Sequence, residues 1–359
     1  MLSIAVLGAL LLLAAVLAVT FVGISSRPRA APPPPATATA RQGTGAHVAA
    51  GHATGHAAAA PTVLATVASW QLQAPIESEV ALPVAGGGGV ELFGGTTTGN
   101  RAAEGIFTLD TATGALVHVA NLGQPLSDAT GADLGGENVV FGGDLAAPLS
   151  TVQGLAAGPA AAPAGSSVPV AAVVGALPGP RAGATAVTAG AVTYVVGGTA
   201  GATPAATILA TRDGRVFTAA ATLPVPVTFP AVAALGGRLY VFGGESLTGS
   251  SAGKPVATIQ VVDLATHAVT MAGRLPTPLA GAAAVTLGGH VFVVGGDEAP
   301  GVTSGTVWGF NAKNLAVTAA GQLRVPVAHA GVVVLGPEAW IVGGESRGAP
   351  TAAVQSLTS

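Results

Sequence analysis

Tyr240-Val241-Phe242-Gly243-Gly244 decides the fold, because variants of it occur six times along the chain. In each copy a short run of β-branched and aromatic residues, the composition of a strand packed on both faces, ends in two glycines. The other copies are Val90-Glu91-Leu92-Phe93-Gly94-Gly95, Val139-Val140-Phe141-Gly142-Gly143, Tyr194-Val195-Val196-Gly197-Gly198, Phe292-Val293-Val294-Gly295-Gly296 and Trp340-Ile341-Val342-Gly343-Gly344. Successive second glycines stand 48, 55, 46, 52 and 48 residues apart. A period of about 50 residues marks a repeated supersecondary unit that buries its apolar faces only against its neighbours.

Reading outward from each glycine pair gives the rest of the unit. Small-residue segments precede the pairs, as in Ala182-Gly183-Ala184-Thr185-Ala186-Val187, Ala280-Gly281-Ala282-Ala283-Ala284-Val285 and Ala330-Gly331-Val332-Val333-Val334. Such segments suit the crowded axis on which all units converge. Third strands follow as Gly105 to Asp110, Thr258 to Asp263 and Thr306 to Asn311, each ending in a residue that favours turns. Leu177-Pro178, Leu223-Pro224 and Leu275-Pro276 close three of the units. These glycine pairs, their spacing and the Leu-Pro closings resemble kelch repeats of the galactose oxidase and kelch-like superfamily, over about 290 residues. The resemblance implies an all-β fold, a six-bladed kelch-type β-propeller of a membrane-anchored bacterial type, occupying residues 63–359. The outer-strand tryptophan usual in kelch blades is replaced by Phe217, Val269 and Val317. Trp70, in Val67-Ala68-Ser69-Trp70-Gln71-Leu72, precedes the first glycine pair, while the last repeat ends on a third strand, Ala352 to Leu357. The N-terminal strand is therefore expected to complete the last blade and close the ring.

The front of the chain is different material. Residues 2–24 carry no charge and are long enough to cross a bilayer as a helix. With no charged n-region and no small-x-small site close behind, residues 1–26 read as an uncleaved anchor rather than a signal peptide. Residues 27–62 read as a disordered linker, with a polyproline run at Pro32 to Pro35 and no apolar periodicity. His47, His52 and His56 in it have nothing rigid to fix them as metal ligands. Arg27, Arg29 and Arg41 follow the span, which counted literally would keep the propeller in the cytoplasm. The Pro/Thr/Ala stalk suits an exposed surface, and an extracytoplasmic propeller on a single-pass membrane anchor is the expectation.

Thirteen basic against sixteen acidic residues, without a basic stripe, exclude nucleic acid as a partner. The absence of cysteine removes disulfides and thiolate metal sites. It also removes the cross-linked residue that a copper site of the galactose oxidase kind implies, and Tyr194 and Tyr240 read as packing residues. His118, His267 and His290 lie in different blades on no shared face, so no metal and no cofactor are expected.

In kelch propellers the loops leaving second strands and entering first strands share one face. On this chain that face implies Thr96 to Arg101, Asp144, Glu245, Ser246, Asp297, Glu298, Glu345, Ser346 and Arg347 from one loop set. Glu77, Asp128, Arg181, Phe229 and His329 come from the other. The candidate binding residues are Asp144, Arg181, Glu245, Asp297, His329, Glu345 and Arg347. Together they suit a protein or carbohydrate ligand held by a few convergent groups. The expectation is a non-enzymatic binding or interaction module at the cell envelope. The alternative is a carbohydrate-modifying enzyme resembling kelch sialic-acid mutarotases, with Glu245 or Glu345 exchanging protons and Arg181 or Arg347 gripping a sugar carboxylate. Raised carboxylate pKa values converging on a channel mouth favour the enzyme; a scattered rim favours binding.

Overall fold

The computed structural model describes residues 61–156 and 168–359. The proposed membrane span at 1–26 and all but the end of the linker at 27–62 lie outside the described residues. Among the described residues no helix is long and apolar enough to cross a membrane. The fold is all-β and antiparallel.

Six four-stranded paths are traced among the described residues. The fourth shows the pattern: Ala231–Leu235, Arg238–Phe242, Thr258–Asp263 and Val269–Arg274 run as neighbours in chain order. Its second strand is buried at Leu239, Tyr240, Val241 and Phe242, and alternate side chains serve the units on either side. Tyr240 and Phe242 pack with Val291, Val293 and Phe310 of the next unit, while Leu239 and Val241 pack with Val196 and Ile208 of the previous one. Phe93, Phe141, Phe242 and Phe292 are all less than 2% exposed. Each contributes about 1.5–3 kcal/mol of burial.

First strands meet around a circle. Val80–Pro83 packs on Thr130–Asp133, followed in turn by Ala182–Ala189, Ala231–Leu235, Ala283–Leu287 and Gly331–Leu335, which packs back on Val80–Pro83. Alanine is frequent in these strands because their side chains point at one another across a narrow axis.

The glycine pairs make the junctions between units. The Gly296 N–H donates to the carbonyl of Val327 in the next unit at 2.9 Å. The preceding Gly295, at φ +63°, has no room for a Cβ, which would collide with that same carbonyl. The junction recurs from Gly95 to Leu126, Gly143 to Arg181, Gly244 to Leu279 and, closing the circle, from Gly344 to Ile76 at 2.8 Å. Buried glutamines add staples: the Gln260 side chain donates to the Val225 carbonyl and accepts the Val225 N–H across a unit boundary.

The expected closure by the front of the chain is present in a shifted form. Leu64–Val67 pairs antiparallel with Val354–Thr358, so the outer strand of the last unit begins three residues before the sequence reading placed it. Trp70 falls in an irregular continuation, where the Ala68 and Leu72 N–H groups still reach Val354 and Ala352. Its ring stacks on Trp340 at 6.3 Å and lies over Gly114, where a side chain would have no space. Trp70 thus caps the seam between first and last units rather than serving as a strand residue.

Two glycines with similar backbones separate conformational strain from junction crowding. Gly301 has φ +71° and open space around it, unlike Gly295. Gly295→Ala is expected to cost about 3 kcal/mol and Gly301→Ala about 1 kcal/mol, measured by urea unfolding.

Candidate functional site

One residue at the entry to each first strand, two positions before it in five units and at its second position in the third unit, adopts a left-handed conformation. Ser78, Asp128, Gly183, Phe229, Gly281 and His329 have φ between 51° and 62°. Their backbones link from unit to unit: Ser78 N–H donates to His329 at 2.7 Å, His329 to Gly281 at 2.8 Å, Gly281 to Phe229 at 3.0 Å, Phe229 to Gly183 at 2.6 Å and Gly183 to Asp128 at 2.8 Å. These six residues frame the mouth of a cavity of about 270 Å³ that descends between the first strands.

The two glycines in this frame are spaces for their neighbours' rings. A side chain on Gly281 would collide with the His329 imidazole, and one on Gly183 with the Phe229 ring. Phe229 and His329 lie edge to face with centroids 4.7 Å apart. They make an aromatic wall.

A second tier stands outside the frame. The residues following the glycine pairs bridge to those preceding the frame: Thr96 to Glu77, Asp144 to Ser127, Glu245 to Thr228, Asp297 to Ala280 and Glu345 to Ala328. The acidic ones concentrate where the last units meet the first. Asp297 is 9% exposed; its Oδ1 accepts from Thr303 Oγ1 at 2.9 Å, and its Oδ2 stands 3.7 Å from His329 Nε2. Asp297, His329 and Glu345 each offer a donor atom within 4.8 Å of the others, the one group among the described residues that could hold a cation. Glu77 Oε2 is buried without a partner. Burial, then the nearby carboxylates of Glu345, Asp128 and Asp297, push the Glu77 carboxyl up to about 7. Burial also raises the Asp128 carboxyl, against a Ser78 hydrogen bond and the His329 charge that oppose the shift. Glu79, 5% exposed in the cavity wall, is raised to about 8 by burial and accepts the Gly331 N–H at 3.1 Å.

The sequence-predicted residues separate in this geometry. Asp297, His329 and Glu345 come together, and Asp144 stands close enough to Asp128 to raise its pKa. Glu245 is half-buried in a short pairing with Thr228 and Pro255 and does not line the cavity. Arg181 requires correction as a ligand-gripping residue. It is 8% exposed, and its Nη1 donates inward to the carbonyls of Val195, Gly197 and Thr207, the last at 2.9 Å. Burial lowers its pKa to about 10. Arg347 is exposed beside the cluster, its backbone N–H 3.3 Å from Thr303 Oγ1. Sequence reasoning left out Ser78, Glu79, Gly183, Gly281 and Thr303. From the second unit onward the frame residue lies 15 positions before the second glycine, a signal that would have located Gly183 and Gly281.

No family model matches the chain, and no curated protein matches it. Among solved structures it is similar to YjhT, at 17% identity and a TM-score of 0.64, over 80% of this chain and 95% of that one. This likeness shows the fold, a kelch-like propeller. The expectation of a non-enzymatic module does not stand against this likeness, because YjhT is an enzyme; at 17% identity the likeness shows the fold and gives this chain no activity.

The raised carboxyls make stability fall with pH. Glu79 stays protonated in the fold up to about 8 but ionises near 4.5 when unfolded. Its stabilising contribution is complete below about pH 4.5 and is lost as pH rises towards 8, with a slope of at most roughly 1.4 kcal/mol per pH unit. Glu79→Gln should flatten this part of a plot of unfolding free energy against pH, most visibly between pH 6 and 8.

Proposed function

We propose that the chain is a six-bladed, membrane-tethered kelch enzyme that exchanges protons at the anomeric centre of a sugar, a mutarotase-type activity. YjhT is a sialic acid mutarotase of kelch type, which supports this reaction class for the shared frame. The observation that carries the reading is the Glu77 carboxyl, next to Ser78 of the frame around an axial cavity and held near neutrality by burial and by the carboxylates of Glu345, Asp128 and Asp297. A general acid or base works best when its pKa lies near the operating pH. Glu77 meets that condition.

Opening a cyclic sugar needs two proton transfers. His329, whose Nε2 stands 3.7 Å from Asp297 Oδ2, accepts the proton of the anomeric hydroxyl as its oxygen becomes a carbonyl. The bond between the anomeric carbon and the ring oxygen breaks, and protonated Glu77 delivers a proton to that oxygen. Rotation about the adjacent carbon–carbon bond and reversal of the transfers give the other anomer. Atoms and charge balance without a co-reactant. The Phe229 ring, packed against His329, offers an apolar surface for sugar C–H groups beside the carboxylates that accept its hydroxyls. The cavity lies at the lower end of the roughly 300–1,000 Å³ range of ligand pockets, which suits one sugar ring.

Residues 2–24, as the proposed membrane span, would display this mouth outside the cytoplasm. Glu77→Gln is expected to slow anomer exchange about 100-fold, read by NMR exchange spectroscopy. Glu245→Gln, outside the group of carboxylates around Glu77, should leave the rate within about twofold. An unaltered rate in Glu77→Gln would remove the proton-transfer role.

A further inference from the structure

A second hollow, sharing no residue with the axial cavity, lies between the third and fourth units. The other units supply its comparison. Tyr194, Tyr240 and Trp340 each stand four positions before the second glycine of their pair. The turns between third and fourth strands in the units that follow them are built alike. Gly114, His267 and Leu315 donate their backbone N–H to the carbonyls of Asp110, Asp263 and Asn311 at 2.8, 2.8 and 2.7 Å, and all three have φ between 61° and 76°.

Two of these three places are filled. Leu315 packs on the cluster that holds Tyr240, which is 2% exposed. Gly114 leaves room for the Trp70 indole, which stacks on Trp340 at 6.3 Å with the rings 12° from parallel. The third place is open. Tyr194 packs on Val196, Leu239 and Val262 along one side, yet it is only half-buried, and with His267, Arg212 and Val216 it lines a hollow of about 370 Å³. Val216 is 65% exposed there. The volume falls within the roughly 300–1,000 Å³ range of ligand pockets.

What this hollow lacks is the ring that Trp70 supplies at the seam. The chain has none to lend. Ahead of Trp70 the only Phe, Tyr or Trp is Phe21, within the proposed membrane span, and among the described residues no aromatic side chain is exposed for a second copy to offer. The rim suits an incoming ring. Asp213 Oδ1 already accepts from the Arg215 and Val216 N–H groups at 2.9 Å each, and Arg215 stands 3.8 Å from Glu137. Arg212 has no ion pair among the described residues, which leaves its guanidinium for the face of an aromatic ring. Thr218, Ala219 and Ala220, successive residues of the outermost strand of the third unit, also line the hollow. It therefore reaches a sheet edge, where an extended peptide adds backbone hydrogen bonds beside the ring.

We propose that this hollow docks a partner polypeptide, which lays a tryptophan side chain on Tyr194 as Trp70 is laid on Trp340. The site is independent of the chemistry at the axial mouth.

The test follows binding of N-acetyltryptophanamide, N-acetylleucinamide and free indole to the full chain by saturation-transfer NMR. Two variants borrow what other units hold at the position of His267: His267→Leu closes the hollow as Leu315 does, and His267→Gly opens it as Gly114 does. N-acetyltryptophanamide should bind at least about threefold more tightly than N-acetylleucinamide. His267→Leu and Tyr194→Val should each weaken it about threefold or more, and His267→Gly should strengthen it by a similar factor. Circular dichroism checks that each variant is folded. No detectable binding of the tryptophan amide, no preference for it over the leucine amide, or equal binding in both His267 variants overturns the proposal. Free indole binding more than about tenfold more tightly than the amide assigns the hollow to a free aromatic molecule and overturns the polypeptide partner.

Discussion

Everything in this molecule hangs on one junction repeated between neighbouring sheets: a glycine N–H bonded to the next unit's carbonyl, with a second glycine beside it that leaves that carbonyl room. No other residue type provides both the left-handed backbone and the missing Cβ. The last of these junctions, Gly344 to Ile76, joins residues from opposite ends of the folded region. Ring closure is completed by Leu64–Val67 on the terminal strand and by Glu79 accepting from Gly331. A propeller that closes in this way has no long free edge between its first and last units.

Closure also builds the site. The acidic cluster draws Asp297 and Glu345 from near the end of the chain and Glu77 from the start of the ring, so Glu77 joins it only when the seam is shut. The mouth consequently has two unlike sides. Where the last units meet the first it gathers carboxylates around an imidazole, Phe229 packs against that imidazole, and beyond Phe229 lies the bare backbone of Gly183. Placing ionisable groups in a half-buried, like-charged setting raises their proton affinity and costs stability, a pattern found where proton transfer is the task.

The frame of the fold was legible in the residues, because a six-fold repeat of strand plus glycine pair leaves few other architectures. The closing strand was legible too, though its register was not: Trp70 resembles a strand residue in composition but serves as a lid on Trp340 and Gly114. Asp297, His329 and Glu345 were identifiable from their offsets to the glycine pairs. Arg181 misled because offset alone does not say which way a long side chain turns, and carbonyls inside the sheet outcompete solvent for its guanidinium. Glu79 went unnoticed since it sits one position from Val80 in an apolar run, and its role depends on a partner 252 residues away. Such long-range pairings are set by closure of the ring and leave no local mark in the chain.

The measurement that tests the account most directly is a carbon-13 NMR titration of the Glu77 carboxyl. Burial, and then the carboxylates of Glu345, Asp128 and Asp297, act on this residue only when the seam is shut, so the account predicts a midpoint near 7. A midpoint at the ordinary glutamate value, about 4.3, would mean that the two ends of the ring do not meet there, and would contradict both the closure and the chemistry assigned to the mouth.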